Sequence, residues 1–169
     1  MREPHNHHGA KVADLAMNLA KALGLDERDV YLMGVAGQMH DIGKLLIRTD
    51  VLNAPRKLTE AERAEMETHT SLGWAVVNEA GYEDIIRDAV RHHHERFDGS
   101  GYPDGLVGYK IPLSARVIGI CDYYSALVSD RPYREAFSHQ FAMAMIQKDK
   151  RTIFDPNLVD LFFSKVMVT

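Results

Sequence analysis

Apolar residues recur at helical spacing along nearly the whole chain, and no segment shows the strict alternation of a half-buried strand. Between residues 9 and 23 one face carries a continuous apolar stripe, which consists of Val12, Leu15, Leu19, Ala20 and Leu23. The stripe stops at Gly24, a residue typical of helix C-termini. The pattern predicts an all-α fold that begins with this helix.

A second helix is indicated by its start and stop signals. Asp26 is a suitable N-cap, and Gly43 is placed where a helix of ordinary length would end. The prediction therefore puts His40 and Asp41 in the last turn of this helix.

A third helix is predicted from a capping box. Residues 46–58 contain turn residues and no helical stripe, so they are expected to form a loop. Thr59 and Glu62 then stand at the spacing at which each side chain can bond the other's backbone N–H. This helix is expected to run to about residue 80 and to carry His69.

The second half of the chain contains a long loop between helices. Residues 83–94 are predicted to form a fourth helix that ends in the run "RHHH", and residues 95–111 are too rich in glycine for a regular element. After Pro112, "LSARVIGICDYYSALVS" is apolar nearly all round, so this fifth helix should be the most buried. Helices at 138–148 and 155–166 complete a bundle of about seven helices.

Composition restricts the class of protein further. A chain of 169 residues fits one domain, and its net charge of −4 disfavours DNA as a partner. The single cysteine, Cys121, cannot form an internal disulfide, which favours a reducing compartment and hence the cytoplasm. No stretch approaches the roughly 18 apolar residues of a transmembrane helix, so no membrane segment is expected.

The first candidate for chemistry is "MHDIGK". An imidazole and a carboxylate side by side suit a divalent metal, and the two oxygens of Asp41 could bridge a pair of metals. The alternative is that His40 and Asp41 are two polar residues exposed to solvent at a helix end.

Asp122 lies in a segment that is apolar on almost every side. An ionised carboxylate removed from water costs several kcal/mol unless it is paired or coordinated. Either a metal or a buried salt bridge with Arg116 or Arg131 would satisfy it.

The remaining histidines are ambiguous one by one. His69 alone is typical of a structural histidine, and His93 and His94 could end a helix in solvent. Together, however, histidines or a His–Asp pair occur on four predicted helices and an aspartate occurs on the fifth. Facing helices that each contribute a nitrogen or oxygen ligand are how a bundle builds a metal site.

These residues lie in motifs that resemble those of the HD-GYP domains, a branch of the HD phosphohydrolase superfamily. The resemblance covers essentially the whole chain and rests on "HGAKV", "HDIGK", "HTSLG", "HHERFDGSGYP", "CDYYSALVSDRPYR" and "FDPNLVDLF". The tripeptide Gly-Tyr-Pro of the branch occupies residues 101–103.

The resemblance implies an HD-domain helical bundle around an interior metal centre that hydrolyses cyclic di-GMP to linear pGpG or on to GMP. The implied metal ligands are His8, His40, Asp41, His69, His93, His94 and Asp122. Three histidines, His5, His7 and His8, compete for the first position, and the pattern of the family selects His8. Of the three consecutive histidines, His93 and His94 match the ligand pair, and His92 is expected to be a bystander.

The resemblance also implies how the substrate is held. Lys44 and Asp41 correspond to catalytic positions, and the implied substrate-binding residues are Lys44, Gly101, Tyr102, Pro103, Arg131 and Arg134. Nitrogen and oxygen ligands without a thiolate favour two divalent ions of iron or manganese over structural zinc.

Two departures from the family pattern matter. Pro4 stands where members with a third metal carry a glutamate, which puts a third metal in doubt. Ser125 replaces an aspartate of the fifth helix, which implies the loss of a hydrogen bond behind a ligand.

Residues 1–169 are expected to be one HD-GYP-like catalytic domain, of a kind that accompanies an N-terminal sensory or receiver domain. A diguanylate cyclase that contacts the GYP loop is an expected partner, and a homodimer remains open. Two other functions also remain open: a non-catalytic cyclic di-GMP receptor or interaction module, and a hydrolase for another nucleotide phosphate ester.

Overall fold

The computed structural model describes residues 5–130 and 135–166, with side chains from residue 8 onward. The helices are α1 (His5–Ala22), α2 (Glu27–Met39), α3 (Thr49–Leu52), α4 (Glu60–Glu67), α5 (His69–Glu79), α6 (Asp84–His92), α7 (Leu113–Leu127), α8 (His139–Lys148) and α9 (Pro156–Leu161). Within these ranges no β-strand occurs, and the predicted all-α class is confirmed.

Shorter turns connect or extend these helices. 3₁₀ turns span Ile42–Leu46 and Gly108–Lys110, and a π-helical turn, Phe162–Val166, continues α9. An isolated bridge joins Lys150 to Phe154.

Helix α7 lies at the centre of the bundle, where α1, α2 and α6 pack against it. Val117, Ile118 and Ile120 are fully buried, as expected for a helix that is apolar nearly all round. Complete burial of one such side chain contributes roughly 1.5–3 kcal/mol. The same packing draws Asp122, on the same helix, into the interior of the protein.

The predicted helix starts are confirmed by their hydrogen bonds. The Asp26 carboxylate accepts from the Asp29 N–H at 2.8 Å. Thr59 and Glu62 form the reciprocal capping box, with the Glu62 carboxylate 2.8 Å from the Thr59 N–H. These bonds satisfy donors that a helix start otherwise leaves open.

The predicted helix ends differ in detail. Helix α2 ends at Met39, so Asp41 precedes a 3₁₀ turn instead of closing the helix. The predicted third helix is divided into α4 and α5 at Thr68, whose hydroxyl donates to the Glu65 carbonyl at 2.6 Å. Helix α6 ends at His92, and His93 is its C-cap.

A close backbone contact joins the first 3₁₀ turn to helix α5. A Cβ atom on Gly43 would lie 1.9 Å from the His69 carbonyl oxygen and 2.6 Å from the Gly73 nitrogen. Only glycine permits this approach. The contact brings the residues around Gly43, including Asp41 and Lys44, beside the start of α5.

Gly43→Ala is therefore expected to destabilise the protein by about 3 kcal/mol or more, because backbone atoms cannot yield as a flexible side chain does. Gly24→Ala is the matched control: its φ of +77° strains alanine, but a Cβ there meets no atom within 4 Å. Its expected loss is about 1 kcal/mol. Denaturant unfolding measures both, and equal losses would contradict the role assigned to the contact.

Candidate metal centre

Two groups of ligand atoms meet at the interior ends of the helices. One group is His8, His40 and Asp41, and the other is Asp41, His69, His93 and His94. Within each group the ligand atoms lie within 4.8 Å of one another. Asp41 belongs to both groups.

The two oxygens of Asp41 face different histidines. Oδ1 lies 3.5 Å from Nε2 of His69 and 3.9 Å from Nε2 of His93. Oδ2 lies 3.4 Å from Nε2 of His40 and 2.6 Å from the Lys44 ammonium. One carboxylate therefore stands between two sets of nitrogen atoms.

The backbone orients three of the imidazoles. The Nδ1–H groups donate to carbonyl oxygens of the preceding turn, at 2.8 Å for His40, 2.7 Å for His69 and 3.1 Å for His93. Since a carbonyl can only accept, each bond fixes the tautomer and leaves Nε2 directed at the interior. This arrangement is typical of histidines that bind a metal.

Two buried atoms in the cluster lack hydrogen bonds. Nε2 of His40 and Oδ1 of Asp41 have no hydrogen-bond partner within the part of the chain that the structure describes. Leaving such atoms unsatisfied in a protein interior costs about 1–3 kcal/mol each, and more for a charged group. A divalent cation accepts both a nitrogen and a carboxylate oxygen, so the cluster fits a metal site.

Burial keeps several of the imidazoles neutral. It lowers the pKa of His94 to about 3, and the nearby His69 acts in the same direction. Burial and the neighbouring His94 hold the pKa of His93 well below its usual range, and burial also lowers that of His69. A neutral imidazole has a free lone pair for a metal.

The carboxylates of Asp41 and Asp122 favour cations on the side of the cluster where His40 lies. Burial of His40 disfavours its charged form, but Asp41 and Asp122 outweigh this and raise its pKa to about 8. Burial also opposes ionisation of both aspartates, yet His40 lowers the pKa of Asp41 and the His8 hydrogen bond lowers that of Asp122. The negative charges that favour a proton on His40 would equally favour a metal ion.

Asp122 lies in neither ligand group and adjoins the cluster through His8 and His40, whose Nε2 is 3.7 Å from its Oδ1. Nε2 of His8 lies 3.0 Å from Oδ1 of Asp122, and Nδ1 of His8 lies 3.1 Å from the Ser125 hydroxyl. The expected loss of a supporting hydrogen bond at Ser125 is therefore wrong, because the serine hydroxyl reaches the imidazole. The buried salt bridge considered for Asp122 does not involve Arg116, which instead pairs with Asp155.

The GYP loop, which comprises residues 95–111 and contains Gly101, Tyr102 and Pro103, covers the group that includes His69 and His94. The Tyr102 ring stacks on His94, with centroids 4.9 Å apart and planes at 29°. A Cβ on Gly101 would lie 2.3 Å from the Arg96 nitrogen and 2.5 Å from the His94 oxygen, so only glycine allows the loop to lie this close. Pro103 follows, and the expected substrate-binding tripeptide borders the cluster.

Two residues outside the predicted ligand set hold this loop, and neither His92 nor Glu95 was expected to do so. His92, expected to be a bystander, lies with Nε2 2.9 Å from the Asp104 carboxylate, which Arg91 also binds at 2.9 and 3.0 Å. The buried Glu95 accepts from the N–H groups of Asp104 and Leu106 at 2.7 and 3.0 Å. The acidic residue after "HH" was a usable signal, because a carboxylate beside a glycine-rich loop can bind backbone N–H groups.

Part of the predicted site belongs to segments outside the described part of the chain. Arg131, Arg134 and Pro4 lie outside the described residues, as do the side chains of His5 and His7. All the other predicted site residues lie in or beside the cluster.

A helical bundle whose facing helices supply histidines and aspartates to one interior point has the architecture of a metal-binding helical bundle. A family comparison makes the assignment specific. The HD domain model matches residues 2–158, and the chain belongs to this family. The resemblance identified from the motifs is thereby confirmed.

Similar proteins are known in several bacteria. The chain is 41% identical over 152 residues to the cyclic di-GMP phosphodiesterase response regulator RpfG of Xanthomonas campestris, covering 89% of this chain and 40% of the relative. It is 37% identical over 142 residues to the 3'3'-cGAMP-specific phosphodiesterase 1 of Vibrio cholerae, covering 84% of this chain and 33% of that one. The chain thus spans well under half the length of these relatives.

The fold has a counterpart among solved structures. Bd1817, an HDG"Y"P protein from Bdellovibrio bacteriovorus, superposes with a TM-score of 0.77 at 17% identity, over 98% of this chain and 53% of that one. In the described part of the present chain, no helix has the length and apolar character to span a membrane.

The bonds of Asp104 to Arg91 and His92 generate a prediction about the GYP loop. In Asp104→Ala, amide hydrogen exchange across residues 95–111 should accelerate about tenfold, because the loop loses its charged bonds to α6. The metal content should not change, since Asp104 is not among the clustered ligand atoms.

Asp160→Ala is the matched control, because it too removes an exposed carboxylate that forms an ion pair. The partner of Asp160 is Lys150. Exchange across residues 95–111 in this variant should equal that of the wild type. Equal protection of the loop in Asp104→Ala and the wild type would show that the bonds of Asp104 to α6 do not stabilise the loop.

Proposed function

We propose that the chain is a metal-dependent phosphodiesterase that hydrolyses cyclic di-GMP to linear pGpG, with GMP as the alternative end product. The observation that carries the proposal is the position of Asp41, whose oxygens face two separate groups of histidines beside Lys44. The activities for which the similar proteins are named support the same class of substrate.

The proposed centre contains two divalent ions of iron or manganese, and its donors are nitrogen and oxygen atoms without a thiolate. The proposed ligands are His8, His40, Asp41, His69, His93, His94 and Asp122. When bound, such a pair supplies charge neutralisation of the phosphodiester and activation of water. The Nδ1 hydrogen bonds keep the imidazoles aligned for this task, so little reorganisation accompanies binding.

Lys44 and the GYP loop are proposed to hold the substrate. Lys44 is about one third exposed and bonded to Asp41, so its ammonium can reach a phosphate oxygen at the edge of the cluster. The face of Tyr102 remote from His94 offers a surface for a base, and Gly101 and Pro103 shape the approach. Arg131 and Arg134 are proposed to bind the second phosphate.

We propose that residues 1–169 act as one HD-GYP-like catalytic domain and that this domain works in the reducing cytoplasm. A diguanylate cyclase that contacts the GYP loop, and a second copy of the chain, are the proposed protein partners. The resemblance of the motifs supports these partners.

A second candidate substrate is the mixed dinucleotide 3'3'-cGAMP. It is favoured by the 37% identity to an enzyme named for that activity. A non-catalytic receptor is less favoured, because both ligand groups are complete in the described residues.

Metal analysis tests whether Asp41 serves both groups of ligands. We expect about two metal ions per chain in the wild type, about one in His8→Ala and close to none in Asp41→Ala, because Asp41 belongs to both groups. His139→Ala is the control, since this histidine lies outside both groups. One remaining ion in Asp41→Ala would contradict the shared role.

Product analysis tests the proposed reaction. The protein loaded with iron or manganese should convert cyclic di-GMP to pGpG or GMP, as followed by chromatography. Lys44→Met should lower kcat about 100-fold while the metals are retained, because a charge placed at the reacting phosphate is lost. The exposed Lys110 provides the control Lys110→Met, with unchanged kcat. An intact substrate peak with two metals bound would refute the proposed activity.

A further inference from the structure

A cavity of about 140 Å³ opens directly beside the metal centre. His93, His94 and Asp122 form the wall that it shares with the cluster. We propose that this cavity receives one base of the cyclic dinucleotide and that Arg96, at its rim, selects guanine there. This inference rests on the proposed function, because the phosphate attached to that nucleotide would lie on the metal centre.

The rest of the cavity has the surface that a flat heterocycle requires. Its apolar and aromatic lining is contributed by Phe97, Ile111, Ala115, Tyr123, Ile153 and Phe154. Tyr123 and Phe154 meet edge to face, with centroids 5.1 Å apart, which fixes the orientation of both rings. Small-molecule sites are typically apolar concavities with a few placed polar groups.

The polar groups deeper in the cavity are already engaged. Arg116 donates to the Ile111 carbonyl at 2.9 Å and pairs with the buried Asp155. The Tyr123 hydroxyl donates to the Asp149 carboxylate at 3.2 Å. These bonds hold the walls in place and leave those groups with little capacity to select a base.

Arg96 differs from the other arginine of the cavity. Its side chain is exposed, and its guanidinium makes no hydrogen bond or ion pair with any residue between 8 and 130 or between 135 and 166. Its backbone packs against Gly101, where an added Cβ would lie 2.3 Å from the Arg96 nitrogen. Arg96 thus borders both the GYP loop and the cavity, and Asp98 and Tyr102 are near enough to interact with its charge.

The chemistry of the base edges explains why this cation would favour guanine. Guanine presents two adjacent acceptors, O6 and N7, that match the paired donors of a guanidinium. Adenine presents N7 beside an amino donor, which opposes one of the two N–H groups. An arginine at the rim therefore separates two bases of nearly equal size.

The kinetic test compares Arg96→Ala with Arg63→Ala, an exposed arginine of α4 that does not line the cavity. Substrates are cyclic di-GMP, cyclic di-AMP and bis(p-nitrophenyl) phosphate, a phosphodiester without a base. Arg96→Ala should lower kcat/KM for cyclic di-GMP about tenfold, chiefly through KM, because one bidentate contact is lost. Its rates with the other two substrates should match those of the wild type.

Several results would overturn the inference. Equal losses with cyclic di-AMP would show that Arg96 contributes charge without selecting a base, and a loss with bis(p-nitrophenyl) phosphate would place it at the reacting phosphate. An unchanged kcat/KM for cyclic di-GMP in an active enzyme would remove Arg96 from the site. If the wild type cleaves bis(p-nitrophenyl) phosphate but no cyclic dinucleotide, the proposed function itself fails.

Equilibrium binding gives an answer that does not depend on turnover. Calorimetry with the metal-loaded protein should show tighter binding of GMP than of AMP, and Arg96→Ala should remove the difference. Equal affinities in the wild type would refute the selection of guanine. A second variant, Ala115→Met, fills the cavity from its α7 wall and should weaken GMP binding. Unchanged GMP affinity in that variant would place the base elsewhere.

Discussion

The carboxylate of Asp41 is the constraint on which the site depends. It is held among buried imidazoles, with one oxygen toward His69 and His93 and the other toward His40 and Lys44. A buried negative charge is tolerated only when positive groups or donors surround it. Here the surrounding groups are histidines whose Nδ1 atoms are already bound to the backbone, so their remaining nitrogens converge on the same carboxylate.

This convergence is achieved by the ends of helices. His40 is the C-cap of α2, His69 is the first residue of α5, and His93 is the C-cap of α6. Near a helix end a side chain can bond a carbonyl of the preceding turn while its far edge projects beyond the helix. The histidines therefore meet at helix ends. Asp122, on the buried α7, lies beside the same cluster, 3.7 Å from Nε2 of His40.

Much of this architecture is predictable from local signals. The apolar stripe that includes Val12, the caps at Asp26 and Thr59, and the apolar run around Ile118 each depend on neighbouring residues, and the structure confirms them. The breaks at Asp41 and Thr68 differ from the prediction, because the apolar spacing and the glycine signals that predict these helices mark neither position. The ligand set came from motif resemblance, since spacing along the chain does not reveal which histidines meet.

The role of His92 is a further property that could not be predicted from neighbouring residues. A histidine in the last position of a helix has no distinguishing local pattern, and its partner Asp104 lies twelve residues further along, across the loop. Its function becomes visible only when the loop folds back on α6. Arg96 is similar: in the sequence it is one more exposed cation, whereas in the fold it stands at the rim of a cavity.

The backbone contact between Gly43 and the start of α5 has a consequence for how the family can diverge. Because two main-chain segments touch directly, the separation of Asp41 from His69 does not depend on the size of any side chain placed between them. The spacing of this pair of ligands is therefore set first by main-chain packing. A change of side-chain volume elsewhere in the core would reach the pair only through a movement of these two main-chain segments.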